Sequence, residues 1–556
     1  MPGKPRCHGS IAILWLCFLL KLLYYASFVP LWEGYDEFSH FAFAQTLAVT
    51  HEFPDLRQAS ISRELAESLR LAPVPWTIRN WTPGWTTEDD FWRLPEVSRQ
   101  QRVRELWQIP QSLAREPAPA LRLYEAQQPP LAYLLYAIPS LSFAHASLAA
   151  RVWILRLTGA AIASLMIPLA FMSARRIFQN ESLAVGVVAL IVSMPGLMMT
   201  TDHGGNEPLA IVLATACFYL LVSLVPPGPQ GRPRNDLRSL PLGVVLGCGL
   251  LTKAYFLTLI PATLVIFLTL WWMDRQTRPA RLPVQLLIVI PTAIAVAGWW
   301  YWRAFHATGS FTGDQVSIAA RASSVPILTT LRAIGWRGVA DFALFSHVWL
   351  GGWSFLVLRS WMYRVVEAVL LAAVAGLVIR CKRRTLTRGI AMCIVLEIFF
   401  CAGLAYYALE TYRATGEAAV LGYYAYALVV PEAVCIFAGL SALLPAASAR
   451  FILPALVAFF AAAEVYGTVF CLMPYYAGLT MHTAQGTVPA LHLTQLSRAV
   501  AGESGAEKLF RHLAVNKPDF LSPAVLCALF ACFLLAIAAT VFVSVYSSLF
   551  GQRGKT

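Results

Sequence analysis

Two acidic clusters stand out in a chain otherwise poor in charge. The first lies in Trp32-Glu33-Gly34-Tyr35-Asp36-Glu37-Phe38-Ser39-His40-Phe41. Asp36 and His40 are four residues apart and share one face if this segment is helical. Adjacent carboxylates raise each other's pKa, so such a pair is kept where a cation, a substrate or a hydrogen-bond network compensates. A carboxylate held in that way can take a proton from an attacking hydroxyl. Helix N-termini also favour acidic residues, and spacing alone leaves that structural reading open. The second cluster is Thr201-Asp202-His203-Gly204-Gly205-Asn206-Glu207-Pro208. Gly204-Gly205 permits a tight turn, Pro208 suits the first turn of a helix, and Asp202 or Asn206 can equally act as a cap.

Cations that could face these acids are few. Lys253 interrupts the apolar run Gly249-Leu250-Leu251-Thr252-Lys253-Ala254-Tyr255. A phosphate group would explain a lysine there, and snorkelling to the interface is the alternative. Arg413, in Glu410-Thr411-Tyr412-Arg413, is a second phosphate candidate. Arg303 follows Trp299-Trp300-Tyr301-Trp302 and reads as an interfacial anchor. The eleven cysteines lie mostly in apolar runs without a C-x-x-C, so they read as core residues. No zincin, G-x-S-x-G, Walker A or G-x-G-x-x-G pattern occurs.

The elements that must hold these groups are membrane helices. The 556 residues are 58% hydrophobic and 13% charged, with a mean hydropathy of +0.60. A soluble domain carries roughly a quarter charged residues, and disordered chains are polar, so both classes are excluded. About twelve apolar runs are long enough to span a bilayer. They fall near 11–31, 150–172, 182–201, 207–226, 239–252, 255–273, 283–303, 361–379, 389–409, 424–445, 451–472 and 522–549. The net charge of +13 does not point to nucleic acid, because the basic residues sit in short linkers between these runs. Lys4, Arg6, Arg175, Arg176, Arg232, Arg234, Arg238, Arg275, Arg278, Arg281, Arg380, Lys382, Arg383, Arg384, Arg388, Arg450, Arg553 and Lys555 then share one side. The positive-inside rule makes that side, with both termini, cytoplasmic. The long segments 32–149, 304–360 and 473–521 fall on the opposite, outer face, where long loops are usually functional. Tyr124–Phe143 is apolar, but it opens on Pro129-Pro130 and contains Pro139. Counting it as a span would invert every later linker, so it is expected to be an interfacial or re-entrant helix. The fold class expected is therefore an all-α polytopic membrane protein with interfacial helices in its first outer loop.

At this point the residues resemble the GT-C superfamily of polyprenyl-phosphate-dependent glycosyltransferases, which includes protein O-mannosyltransferases and the aminoarabinose transferase of lipid A. The resemblance is carried by Asp36-Glu37 after the first span, and by Tyr124-Glu125-Ala126-Gln127-Gln128-Pro129-Pro130-Leu131-Ala132-Tyr133, which is similar to an H/K-P-P-L-x-Y segment. Asp202–Glu207 stands at the second outer acidic motif, and Gly249–Lys253 is similar to G-L-x-L-L-T-K. It covers residues 1–310, a catalytic core including loop 32–149. Residues 311–556 match only in hydropathy, with Leu421-Gly422-Tyr423-Tyr424 faintly like a G-R-Y motif. Gln128 replaces a basic or His residue, and Asn206-Glu207 replaces Asn-Asp.

The resemblance implies transfer of a sugar from a polyprenyl-phosphate carrier to a glycan, lipid or protein acceptor on the outer face of a bacterial inner or plasma membrane. Asp36 would be the base and Glu37 would orient acceptor or sugar. His40, Glu125, Gln128, Asp202, His203, Asn206 and Glu207 would contact substrate, with Lys253 and Arg413 at the phosphate. Some relatives use a divalent metal, so the resemblance also admits Mg or Mn held by the oxygen ligands Asp36, Asp202 and Glu207. A secondary transporter or lipid-linked-sugar flippase and a polysaccharide polymerase or ligase are the competing classes. Glu397 and Glu464, inside apolar runs, have no role under the glycosyltransferase reading and would favour transport.

Overall fold

The computed structural model describes residues 6–224, 239–274, 281–501 and 505–550. The linker Pro226–Pro233 and the cations Lys4, Arg232, Arg234, Arg238, Arg275, Arg278, Arg553 and Lys555 lie outside the described residues. The chain is helical almost throughout, with two short antiparallel ladders, Ser60–Ser62 on Pro117–Arg122 and Leu350–Gly351 on Leu356–Val357.

Ten helices among the described residues are long and apolar enough to cross a membrane, each at one of the expected runs. The remaining two runs differ for local reasons. The run at 182–201 is a bent pair, Glu181–Ser193 and Pro195–Thr201, with 64° between the two. Proline disfavours helical backbone in the residue before it, and Met194 is accordingly extended, at φ −72° and ψ 109°. Counted as one span, the pair brings the total to 11. The run at 239–252 contains the 11-residue helix Leu240–Leu250, shorter than a full crossing. It ends before Lys253, whose backbone is extended at φ −155° and ψ 139°, and a 3-10 turn follows over Ala254–Thr258.

Of the three long segments between spans, residues 32–149 hold the helices that matter most for the site. Leu131–Ser142 has 12 residues, too few to cross. It buries Tyr133 and Tyr136 and leaves Leu134, Ile138 and Leu141 exposed, the division expected of a helix lying in an interface. It packs on the Glu37–Thr50 helix, where Phe43 stacks on Tyr133 with ring centroids 4.0 Å apart. The other two long segments pack against the first and against the end of the first spanning helix. The Ser354 amide donates to Glu33 Oε1 at 2.6 Å, the His482 amide donates to Asp89 Oδ2 at 3.0 Å, and Lys517 Nζ donates to the Phe28 carbonyl at 2.8 Å. Burial pushes the Glu33 carboxyl up to about 8 and the Lys517 ammonium down to about 7.

Two of the acidic residues inside the spans are paired. Lys21 Nζ lies 2.7 Å from Glu464 Oε2 and donates to the Val192 carbonyl at 2.6 Å, joining three helices. Glu432 meets His347 Nε2 at 2.8 Å. Glu464 therefore has a packing role, which removes it as support for transport. Glu397 keeps a buried Oε1 without a hydrogen-bond partner among the described residues. Removing one partner of a buried pair leaves an uncompensated charge, whereas removing both can be near neutral. Lys21→Met or Glu464→Leu alone is expected to cost about 3–5 kcal/mol, and the double substitution much less. Thermal unfolding of the four purified proteins in one detergent reads this; a double variant as unstable as either single one would contradict it.

Candidate active site

A cavity of about 300 Å³ is lined by residues from six separated parts of the chain, including Asp36, Glu125, Gln128, Lys253, Tyr255, Asp314, Tyr407, Glu410 and Tyr424. Asp36 precedes the Glu37–Thr50 helix in left-handed backbone, φ 51° and ψ 24°. Aspartate tolerates this conformation better than most side chains. The turn fits because Gly34 has no Cβ; one built there would lie 2.6 Å from His203 Cβ. The first loop and the Asp202–Glu207 turn are thus pressed together by two small sequence features.

Burial dominates the electrostatics. It pushes the Asp36 carboxyl up to about 6, against the opposing pull of Lys253, His203 and a hydrogen bond from Trp353. Glu125 rises to about 8, first through burial and then through the Asp36 charge. Its Oε2 is buried and has no hydrogen-bond partner among the described residues.

Lys253 is bound into a polar network. Its ammonium pairs with Glu207 and donates to Asn206 Oδ1 at 3.0 Å. The Tyr255 hydroxyl donates to Glu207 Oε2 at 2.9 Å, and Asn206 Nδ2 donates to Gln128 Oε1 at 3.1 Å. The Tyr424 ring sits 4.9 Å from the ammonium. Gln128 therefore anchors Asn206, and the longer side chain of Glu207 reaches both Lys253 and Tyr255. His40, Asp202 and His203 form the layer behind. His40 Nδ1 is 2.7 Å from the Tyr133 hydroxyl, and burial, Lys253 and His203 together hold its pKa well down. His203 Nδ1 is 3.3 Å from Asp202 Oδ1, while Asp202 Oδ2 is buried without a hydrogen-bond partner among the described residues.

Three expected site features are held elsewhere in the structure. Glu37 does not line the cavity: Arg156 Nε and Nη2 each hold one of its oxygens at 2.6 Å. It follows directly on Asp36, whose left-handed backbone turns the chain at that point. Arg413 is not among the lining residues, and its guanidinium donates to the Ser323 and Val325 carbonyls, both at 3.3 Å. Asp36, Asp202 and Glu207 are not drawn together as three free oxygen ligands: Glu207 is engaged by Lys253 and Tyr255. Among the described residues no three His, Cys, Asp or Glu groups are placed to share an ion.

Other participants went unnoticed in the sequence. Arg156 had a signal, a guanidinium inside an apolar span, which calls for a partner. Asp314 and Glu410 had none, lying in segments without a recognisable pattern. Arg303 is a structural anchor, 4.9 Å from the Trp300 ring and donating to the Pro54 carbonyl at 3.0 Å.

Residues 133–308 match the family model of dolichyl-phosphate-mannose-protein mannosyltransferase. No curated protein is matched. Among solved structures, ArnT from Cupriavidus metallidurans is similar at 12% identity, over 97% of this chain and 77% of that one. The TM-scores are 0.44 for its apo form and 0.43 for the form bound to undecaprenyl phosphate. The oligosaccharyltransferase AglB from Archaeoglobus fulgidus, in complex with an inhibitory peptide and a dolichol-phosphate, is similar at 11% identity. That match covers 93% of this chain and 60% of that one, with a TM-score of 0.39. The family match takes in Asp202, Asn206, Glu207 and Lys253, and it places this membrane protein among the glycosyltransferases.

Proposed function

We propose that the chain moves a sugar from a polyprenyl-phosphate carrier to an acceptor on the non-cytoplasmic side of the membrane, and that the Asp36–Lys253 cavity is where it does so. The observation that carries this reading is convergence. A carboxylate able to act as base and a buried ammonium able to meet a phosphate line one cavity, although 217 residues separate them in sequence. The matched family is described by a dolichyl-phosphate-mannose donor. The grouping of basic linkers on one side supports the sidedness.

In the reaction, the acceptor attacks the anomeric carbon and its proton passes to Asp36. The bond from that carbon to the phosphate oxygen breaks, and the electron pair leaves with the polyprenyl phosphate. Developing negative charge on the leaving group needs a preorganised cation. Lys253 supplies it, with the Asn206 amide holding the ammonium in place. Tyr255 and Gln128 fix Glu207 and Asn206, so their role is positioning.

Lys253→Met tests the phosphate end. Made together with Glu207→Gln, so that no unpaired carboxylate is buried, it is expected to weaken undecaprenyl phosphate binding by about tenfold or more. Unchanged affinity in a folded variant would remove Lys253 from the site.

A further inference from the structure

The cavity is more acidic than binding a donor phosphate would require. Asp36, Glu125, Asp314 and Glu410 line it, and Lys253, already paired with Glu207, is the only lysine or arginine among the described lining residues. Asp314 caps the Gln315–Ala322 helix, and Glu410 stands near the end of the Arg388–Thr415 helix. One hydroxyl joins them: Ser317 Oγ is 2.8 Å from Asp314 Oδ2 and 2.9 Å from Glu410 Oε2. A serine hydroxyl has a single proton, so it serves one carboxylate at a time. The Tyr406 hydroxyl donates to Glu410 Oε1 at 2.5 Å.

A second observation is independent of that pair. Glu125 is 4% exposed, lines the same cavity, and its Oε2 is without a hydrogen-bond partner among the described residues. A buried acceptor of this kind is costly unless a ligand donates to it. The charges are contiguous, because the fields of both Asp36 and Asp314 act on Glu125. Tyr124, Tyr407 and Tyr424 also line the space, and aromatic faces attract cations.

We infer that Glu125, Asp314 and Glu410 form a subsite for an ammonium group, carried by the acceptor substrate. This rests on the glycosyl-transfer reading, which puts the donor phosphate at Lys253 and the acceptor beside Asp36. An ammonium offers three donors to carboxyl groups that form no ion pair with a protein cation among the described residues. A divalent ion fits less well, since the described residues include no three-ligand group. An acceptor presenting an anionic group here would be repelled.

The test is photolabelling of the full chain in dodecyl maltoside with a benzophenone primary amine and with its N-acetylated, neutral form. The amine is expected to label peptides containing residues 312–317 or 403–410 more strongly by about tenfold or more. Asp314→Asn with Glu410→Gln should erase the difference; asparagine remains a good helix cap, so the fold should persist. Equal labelling of the unsubstituted protein by both probes would overturn the inference, as would a preference that survives the double substitution. Displacement of the amine by polyprenyl-phosphate-mannose would move the subsite to the donor, and displacement by millimolar Mg²⁺ would make it a metal site; either overturns the assignment. Labelling needs no turnover, so its failure is separate from a failure of sugar transfer.

Discussion

Asparagine in place of Asp36 is expected to lower sugar transfer by about 10²–10⁴-fold, the range over which a positioned general base contributes. The substitution preserves size, and asparagine, like aspartate, accepts left-handed backbone, so the turn at φ 51° should form. What is lost is the capacity to take a proton. The unsubstituted enzyme carries its own signature of that role. Burial holds the Asp36 carboxyl at about 6, well above an ordinary aspartate, so a larger share of the base is protonated as pH falls through 6. Transfer should decline on that acid limb, and the residual activity of Asp36→Asn should not follow it. Initial rates from pH 5 to 8 with purified protein and a radiolabelled polyprenyl-phosphate sugar would read both effects. Near-normal transfer by Asp36→Asn would end the assignment.

Arg156→Met should destabilise the protein by about 3–5 kcal/mol, the range for breaking a buried ion pair. Its guanidinium holds both oxygens of Glu37 and also donates to the carbonyls of Ala26, Val29 and Pro30, at 3.0, 2.6 and 2.7 Å. Those carbonyls belong to the last turn of the first spanning helix and the residues just after it, where the intrahelical donors run out; of the three, Pro30 also accepts from the Glu33 amide, at 3.4 Å. The Trp32 amide donates to Glu37 Oε2 at 3.1 Å, so the same carboxylate also fixes the turn before Asp36. Glu37→Gln keeps the shape and one acceptor oxygen, and should cost less than Arg156→Met. If Glu37 contacted substrate instead, Glu37→Gln would raise KM while leaving Tm unchanged. Thermal unfolding together with steady-state kinetics on the same preparations separates these outcomes.

Hydropathy and linker charge made the helical architecture legible, because spanning a bilayer imposes a length and a composition on each element. The break at Lys253 was legible for the same reason. Asp36, the Asp202–Glu207 turn and Glu125 could be singled out because their motifs are local. What spacing could not decide was which of two adjacent carboxylates faces the cavity. That depends on one left-handed residue and on Arg156, 119 positions beyond Glu37. Arg413 misled for a related reason: its outer position suited a phosphate, but nearby carbonyls at Ser323 and Val325 took its donors. Asp314 and Glu410 could not be found because only tertiary packing joins their segments to the first loop. Sequence features thus located the Lys253 end of the cavity, whereas its acidic far wall emerged only from the fold.

The most direct measurement of the central claim is an experimental structure of the full chain with a polyprenyl phosphate bound. The phosphate should lie within hydrogen-bond distance of Lys253 Nζ, with the Asp36 carboxylate facing the open part of the same cavity. A phosphate seated elsewhere, at Arg413 or beside the His347–Glu432 pair, with Lys253 still enclosed by Glu207 and Asn206, would contradict it.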